Sequence, residues 1–200
     1  MQEENKSANK NSRLKEVVEW LESIAVAVIC VIILFSFFFR IVTISGPSMQ
    51  NTLFAGDRII ISNMFYTPKC GDVVVISRNY ENESSASSHN ADPIIKRVIA
   101  TEGMTVDIDF EYGLVYVDGE LLEEDYIKNT TTTKWDVDFP ITVGENQIFV
   151  LGDNRLESMD SRDSRIGLID ERYILGKALF RIYRDAEYRS SSADMFGGIE

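Results

Sequence analysis

The stretch Pro93-Ile94-Ile95-Lys96-Arg97-Val98-Ile99 sets two basic side chains inside an aliphatic run. Its length and β-branched content make it a strand. In an extended segment Ile94, Lys96 and Val98 share one face while Ile95, Arg97 and Ile99 share the other, so one basic group points each way. A lysine in such company either lies on an edge strand with its amine in water or faces an interior, where lost hydration favours the neutral amine. In the second case Lys96 is fit to act as a general base near neutral pH. This segment alone leaves both possibilities open.

Working outward, similar short runs recur: Arg58 to Ile61, Asp72 to Ile76, Thr105 to Ile108, Leu114 to Val117, Ile148 to Leu151 and Ala178 to Tyr183. Each is bounded by turn residues, and Asp118-Gly119 is a strong hairpin signal between two of them. No long helical period follows residue 40. The fold class is therefore mainly β, short strands of an antiparallel β-sheet behind one N-terminal helix. The stretches 79–92 and 128–134 are expected as loops, and residues 190–200, rich in Ser and Gly, as a flexible tail.

The N-terminal part reads differently. From Ser23 to Phe39 there are 17 uncharged residues, near the lower limit of roughly 17–25 for a spanning helix. A cleavable leader would have a shorter apolar run and a small-x-small site, whereas this one ends in Phe37-Phe38-Phe39-Arg40. Residues 1–13 are expected to be unstructured and Leu14 to Phe39 to form one helix, giving a cytoplasmic segment over 1–16 and a transmembrane anchor over 17–39. Lys6, Lys10, Arg13 and Lys15 precede the span and Arg40 alone follows closely, which sets the N-terminus inside and the domain of residues 40–189 on the extracytoplasmic face.

Composition excludes several function classes. The net charge is −12, and residues 1–39 carry 4 basic and 5 acidic residues, so the acidity belongs to the remaining 161 residues. So acidic a surface excludes nucleic acid as a partner. One histidine and two separated cysteines, Cys30 and Cys70, make neither a zinc site nor a disulfide framework. No metal and no cofactor is expected.

Nucleophilic chemistry is the remaining class with candidates. Ser48 stands in Ser45-Gly46-Pro47-Ser48-Met49-Gln50-Asn51-Thr52-Leu53. A serine needs a neighbour to take its proton, and the only histidine, His89, lies in the polar run Glu83 to Asn90, away from any apolar pattern. Lys96 is the remaining base. Gly46 and Pro47 fix an irregular backbone that can present the Ser48 hydroxyl together with its amide N–H, a donor for a developing oxyanion. Ser48 also suits a plain turn, and Met49 and Leu53 suit either a pocket floor or the core. In Gly152 to Arg162, Ser158, Asp160 and Arg162 fall on one face of an extended segment, where Asp160 and Arg162 can pair and Ser158 can position the lysine amine.

Taken with Gly56 to Ser62, Gly71 to Val75 and Lys96 to Ala100, the segments Ser45 to Leu53 and Gly152 to Arg162 resemble the ordered boxes of bacterial type I signal peptidases, membrane-bound serine proteases that remove signal peptides. The likeness runs in order from the anchor to about residue 183. It implies Ser48 as nucleophile, Lys96 as general base, Ser158 orienting the lysine, an Asp160–Arg162 pair supporting that serine, and Asp153 paired with Arg97. It also implies a catalytic β core with an inserted β region over about 104–146, and an oxyanion site at Gly46 and Ser48. The expected partners are signal-peptide-bearing preproteins and the lipid bilayer, with the enzyme a monomer. Asn51 stands where the family normally has proline, and Gly46 where some members carry a hydroxyl. Two other functions are weighed: an anchored non-catalytic β domain that binds secreted proteins, and a self-cleaving repressor-type serine-lysine protease, against which the span and the acidic surface count.

Overall fold

The computed structural model describes residues 2–78, 92–188 and 196–199. It divides into two compact units, Met1–Phe39 and Arg40–Glu200. The loop expected at 79–92, His89 included, falls outside the described residues save for Asp92; of the tail at 190–200, residues 196–199 are described, and there Gly197 and Gly198 pair as a strand with Arg181 and Phe180 where a loose end was expected.

The first unit is one helix, α1 (Gln2–Phe38). It begins well before the expected start at Leu14. Residues 2–13 contain no Pro or Gly and several strong helix formers, and extending an existing helix costs far less than starting one. Within the apolar run the two serines turn inward on the helix: Ser23 Oγ donates to Glu19 O at 2.9 Å and Ser36 Oγ to Ile32 O at 2.7 Å. Apolar side chains such as Ile24, Val28, Ile32 and Phe35 are exposed around the helix. Among the described residues no helix is long and apolar enough to cross a membrane.

Among the described residues the second unit is built on twelve strands: β1 (Phe39–Thr43), β2 (Arg58–Ser62), β3 (Val73–Ile76), β4 (Ile94–Thr101), β5 (Thr105–Asp109), β6 (Leu114–Val117), β7 (Glu120–Leu121), β8 (Ile141–Thr142), β9 (Gln147–Leu151), β10 (Ile169–Asp170), β11 (Ile174–Tyr183) and β12 (Gly197–Gly198). The larger sheet runs β1-β2-β11-β3-β4-β9-β10, with β12 on β11; the smaller runs β7-β6-β5-β8. Pairing is antiparallel throughout the registered strands. At the hairpin between β6 and β7, Asp118 and Gly119 take φ +52° and +81°, the left-handed conformation that such two-residue turns demand.

Strand alternation sorts the core. Val73 and Val75 of β3 enter one apolar cluster with Ile44, Met49, Leu53, Ile59 and Ile61, while Val74 and Ile76 enter a second with Val98, Ile148 and Val150. Both faces of β3 are covered, which is why its sequence is continuously aliphatic. A third cluster, with Ile99, Val106, Val115, Phe149 and Leu151, joins the small sheet to β4 and β9. Met49 and Leu53 are fully buried in the first cluster, so core packing is their place. They pin the turn that follows Ser48.

Four short or unforeseen elements were not legible as strands: β1, β8, β10 and β12. Three of these have only two residues, too short for any periodicity to register.

Candidate active site

Residues 47–53 form a tight turn: Gln50 N donates to Pro47 O at 3.1 Å, and Thr52 N and Leu53 N to Met49 O at 2.9 and 2.8 Å. With Met49 and Leu53 buried beneath it, this turn presents Ser48 upward toward β4. Lys96 of β4 pairs with Val74 in register, in the middle of the larger sheet. Its Nζ lies 2.8 Å from Ser48 Oγ and 2.9 Å from Ile95 O. Only 3% of the residue is exposed. Burial lowers its pKa to about 8, against the opposing pull of Asp160 and Asp153. The alternative of an edge-strand lysine in water is thereby removed.

Arg97, the next residue, is also buried and takes a different set of partners. Its guanidinium grips Asp153 through Nε–Oδ1 at 2.9 Å and Nη2–Oδ2 at 2.8 Å, and donates to Gly71 O at 2.8 Å. Thr52 Oγ1 donates to the same Asp153 carboxylate at 2.5 Å. The strand that carries Lys96 and the turn that carries Ser48 are therefore fastened to one carboxylate.

Asp160 and Arg162 form a second buried two-point pair, Nε–Oδ1 at 2.8 Å and Nη2–Oδ2 at 2.9 Å. Asp160 Oδ2 also accepts from Gly152 N at 3.1 Å, and Arg162 donates to Arg155 O at 2.8 Å and Thr133 O at 3.1 Å. Ser158 is buried, but its hydroxyl has no hydrogen-bond partner among the described residues. The bond from Ser158 to the lysine amine is thus not made here; the amine bonds Ser48 and Ile95 O. Ser158 lies close by: a side chain added at Gly152 would overlap both its hydroxyl and the Ser48 carbonyl.

Around the Ser48 backbone, a Cβ added at Gly46 would meet nothing within 4 Å. A cavity of about 120 Å³ opens beside Ser48 and Lys96, walled by Ile44, Gly46, Val75 and Ile95. A larger one of about 760 Å³ is lined by Asn63, Tyr66, Glu145 and Glu171, among others, and contains none of the predicted residues. Size does not decide between them; the small cavity is the one that adjoins a desolvated amine and a hydroxyl.

Several residues of the site escaped the sequence. Asn154 is fully buried and its N–H donates to Ser48 O at 2.9 Å. Arg155 donates Nε to Gly152 O at 2.8 Å, Nη1 to Thr131 Oγ1 at 2.6 Å and Nη2 to Glu124 Oε1 at 2.5 Å. Tyr126 places its ring 3.9 Å from the Arg97 guanidinium. Glu124, Tyr126 and Thr131 come from the segment between β7 and β8, which has no chemical motif, so nothing local signals their role.

A buried amine whose pKa is lowered to about 8, in contact with a serine hydroxyl and beside a small cavity, is chemically equipped for acyl transfer. The family model described as "Signal peptidase, peptidase S26" matches residues 17–183. Signal peptidase I of Bacillus licheniformis is 31% identical over 198 residues, covering 94% of this chain and 98% of that protein. Signal peptidase IB of Staphylococcus aureus (strain COL) is 33% identical over 196 residues, covering 88% and 94%. A solved signal peptidase I from Enterococcus faecalis V583 aligns with TM-score 0.44 at 25% identity, over 56% of this chain and 97% of that one, a likeness too low to bear on the fold. On the family match and the extent of its relatives, the chain belongs to the peptidase S26 family of signal peptidases and is a protease that cleaves signal peptides.

Proposed function

We propose that this protease removes N-terminal signal peptides from exported preproteins after small residues, with Ser48 as nucleophile and Lys96 as general base. The observation that carries the assignment is the 2.8 Å approach of Lys96 Nζ to Ser48 Oγ in a setting where burial holds the lysine pKa at about 8. Neutral Lys96 takes the Ser48 proton while Oγ attacks the scissile carbonyl carbon. The tetrahedral intermediate collapses as the ammonium returns that proton to the leaving amine. Lys96 then deprotonates a water, which hydrolyses the ester and regenerates Ser48.

The surrounding residues support this cycle. An ammonium has three N–H groups, and two are taken by Ser48 and Ile95. Ser158, an unused buried hydroxyl, supplies the acceptor for the third during the protonated phase. Asp160 and Arg162 hold the Ser158 loop, and Asp153 with Arg97 holds β4 against the nucleophile turn. The oxyanion region is Gly46 and Ser48, with the Ser48 N–H as donor. The cavity of about 120 Å³ takes a small side chain ahead of the cut.

Residues 17–39 anchor the enzyme as a single span, with the N-terminus in the cytoplasm, the domain of residues 40–189 on the extracytoplasmic face of the membrane, and the working form a monomer. Support for the anchor is the run of 17 uncharged residues and the excess of basic residues before it. A preprotein tethered by its own apolar signal helix then meets the site at high effective concentration.

The test is cleavage of a model secretory precursor by the purified chain in detergent, with Ser48→Ala and Lys96→Ala measured separately alongside circular dichroism. Both variants are expected to fold and to lose turnover. Normal cleavage by Lys96→Ala refutes the base assignment.

A further inference from the structure

Asn154 is bound to the turn that carries Ser48 through both its backbone and its side chain. Its backbone N–H donates to Ser48 O at 2.9 Å, its side-chain Nδ2 to Pro47 O at 3.2 Å and to Glu157 Oε2 at 3.1 Å. Its Oδ1 accepts from Asn129 Nδ2 at 3.0 Å, and residues 129 and 154 also form a parallel bridge. One buried residue therefore holds two consecutive carbonyls of the turn. Its amide is oriented by a residue from the segment between β7 and β8.

The geometry of a peptide gives this a consequence. Pro47 C=O and Ser48 N–H belong to one planar trans unit, in which the two groups point in opposite directions. A donor that fixes the carbonyl also fixes the direction of the N–H on the far side, and it polarises that N–H into a better donor. Pro47 O has two such donors, Asn154 Nδ2 and Gln50 N. The Ser48 N–H itself has no acceptor among the described residues. Gly46 has no side chain to offer a second donor, so the aim of this single N–H decides how well negative charge on the carbonyl oxygen is met.

We propose that Asn154 is the positioning residue of the oxyanion donor, acting through the Pro47 carbonyl to aim the Ser48 N–H, with Asn129 setting the orientation of the Asn154 amide. The proposal rests on Ser48 being the nucleophile. When Ser48 Oγ bonds to the scissile carbon, the carbonyl electron pair moves onto oxygen and accepts from the aimed N–H; on collapse the pair returns and the amine departs. Asn154 touches no reacting atom and shares no contact with Lys96.

The experiment uses the full chain in detergent and three readouts: steady-state kinetics on a precursor peptide, inhibition by a peptide aldehyde that forms a tetrahedral adduct with the serine, and binding of an uncleavable peptide of the same sequence. Removing an oxyanion donor outright costs about 10²–10³ in kcat, so misaiming one by Asn154→Ala is expected to cost about 10–100-fold with KM within about twofold. The aldehyde inhibition constant should rise by the same factor, while peptide binding and the pH midpoint stay as in the parent. An unchanged kcat, a loss expressed in KM, or a lower kcat with unchanged aldehyde inhibition overturns the proposal.

Asn129 supplies a second test should the buried Asn154→Ala variant misfold. Asn129→Ala merely frees the Asn154 amide and should cost a few-fold in kcat. Asn129→Asp instead demands a donor from Asn154, turning its oxygen onto Pro47 O, and should cost at least about tenfold in kcat and in aldehyde inhibition alike. Equal activities for Asn129→Asp and Asn129→Ala overturn the orientation mechanism. Ser48→Ala is the control for the underlying reading: if it still cleaves, the nucleophile assignment has failed, a result distinct from any outcome at positions 129 and 154.

Discussion

Thr52 and Arg97 converge on the same carboxylate, Asp153, the threonine donating at 2.5 Å and the guanidinium through two bonds at 2.9 and 2.8 Å. Thr52 lies four residues after Ser48 and Arg97 directly after Lys96, so the proposed nucleophile and the proposed base are each fixed at one short remove from a shared anchor.

The pH dependence follows from Lys96. The amine must be neutral to accept the serine proton, and burial places its pKa at about 8. The logarithm of kcat/KM should therefore rise with pH below about 8 and level above it, with the limb assigned to the free enzyme. A profile flat across pH 6–9 rules out Lys96 as the base.

Stability should depend on the same group with the opposite sign from a salt-bridged lysine. The folded state holds Lys96 below the unfolded value of about 10.4, so it binds fewer protons between about pH 8 and 10.4 and stability rises with pH across that window. Below about pH 8 the charged amine costs the folded state of the order of 3 kcal/mol. Lys96→Met, which also gives up two hydrogen bonds of about 1 kcal/mol each, should be more stable than the parent at pH 7, with the difference shrinking toward pH 10.5 in urea titrations.

Glu124→Ala leaves the Arg155 guanidinium buried with only neutral partners. Breaking a buried pair in this way costs about 3–5 kcal/mol, which for a domain of this size lowers Tm by roughly 10 °C or more. Calorimetry checks it, and a shift of only 1–2 °C would mean that the pair is effectively solvated.

Gly152→Ala puts a methyl group against the Ser158 hydroxyl and the Ser48 carbonyl. Overpacking of about 1–3 kcal/mol is expected, together with a loss of kcat exceeding what that destabilisation explains, since the displaced atoms belong to the nucleophile turn. Denaturant unfolding and steady-state kinetics on one preparation separate the two effects.

The aliphatic strands were legible because each is a run of four to six apolar residues between turn residues, and Asp118-Gly119 announced its hairpin. Ser48, Lys96, Asp153, Asp160 and Arg162 could be named in advance as candidates because a family likeness suggested roles that spacing alone left open, and the fold brings them together. Asn154 and Arg155 stood inside a quoted motif yet were passed over. Their meaning depends on partners 24 to 107 residues distant, and a single sequence does not encode which distant carbonyl a buried amide will reach. The early start of α1 was missed for another reason: polar composition suggested disorder where helix propensity prevailed.

Strand β11 lies between β2 and β3 in the larger sheet although it follows both far along the chain. Just beyond it, Arg184 reaches back to Asp57 at 3.3 Å and to Thr52 O at 2.8 Å. Without β11 the sheet has a gap through its middle and the serine loop loses its support from Arg184. The serine loop thus gains its backing only once β11 has docked, which makes assembly of the site wait on the most sequence-distant pairing of the larger sheet.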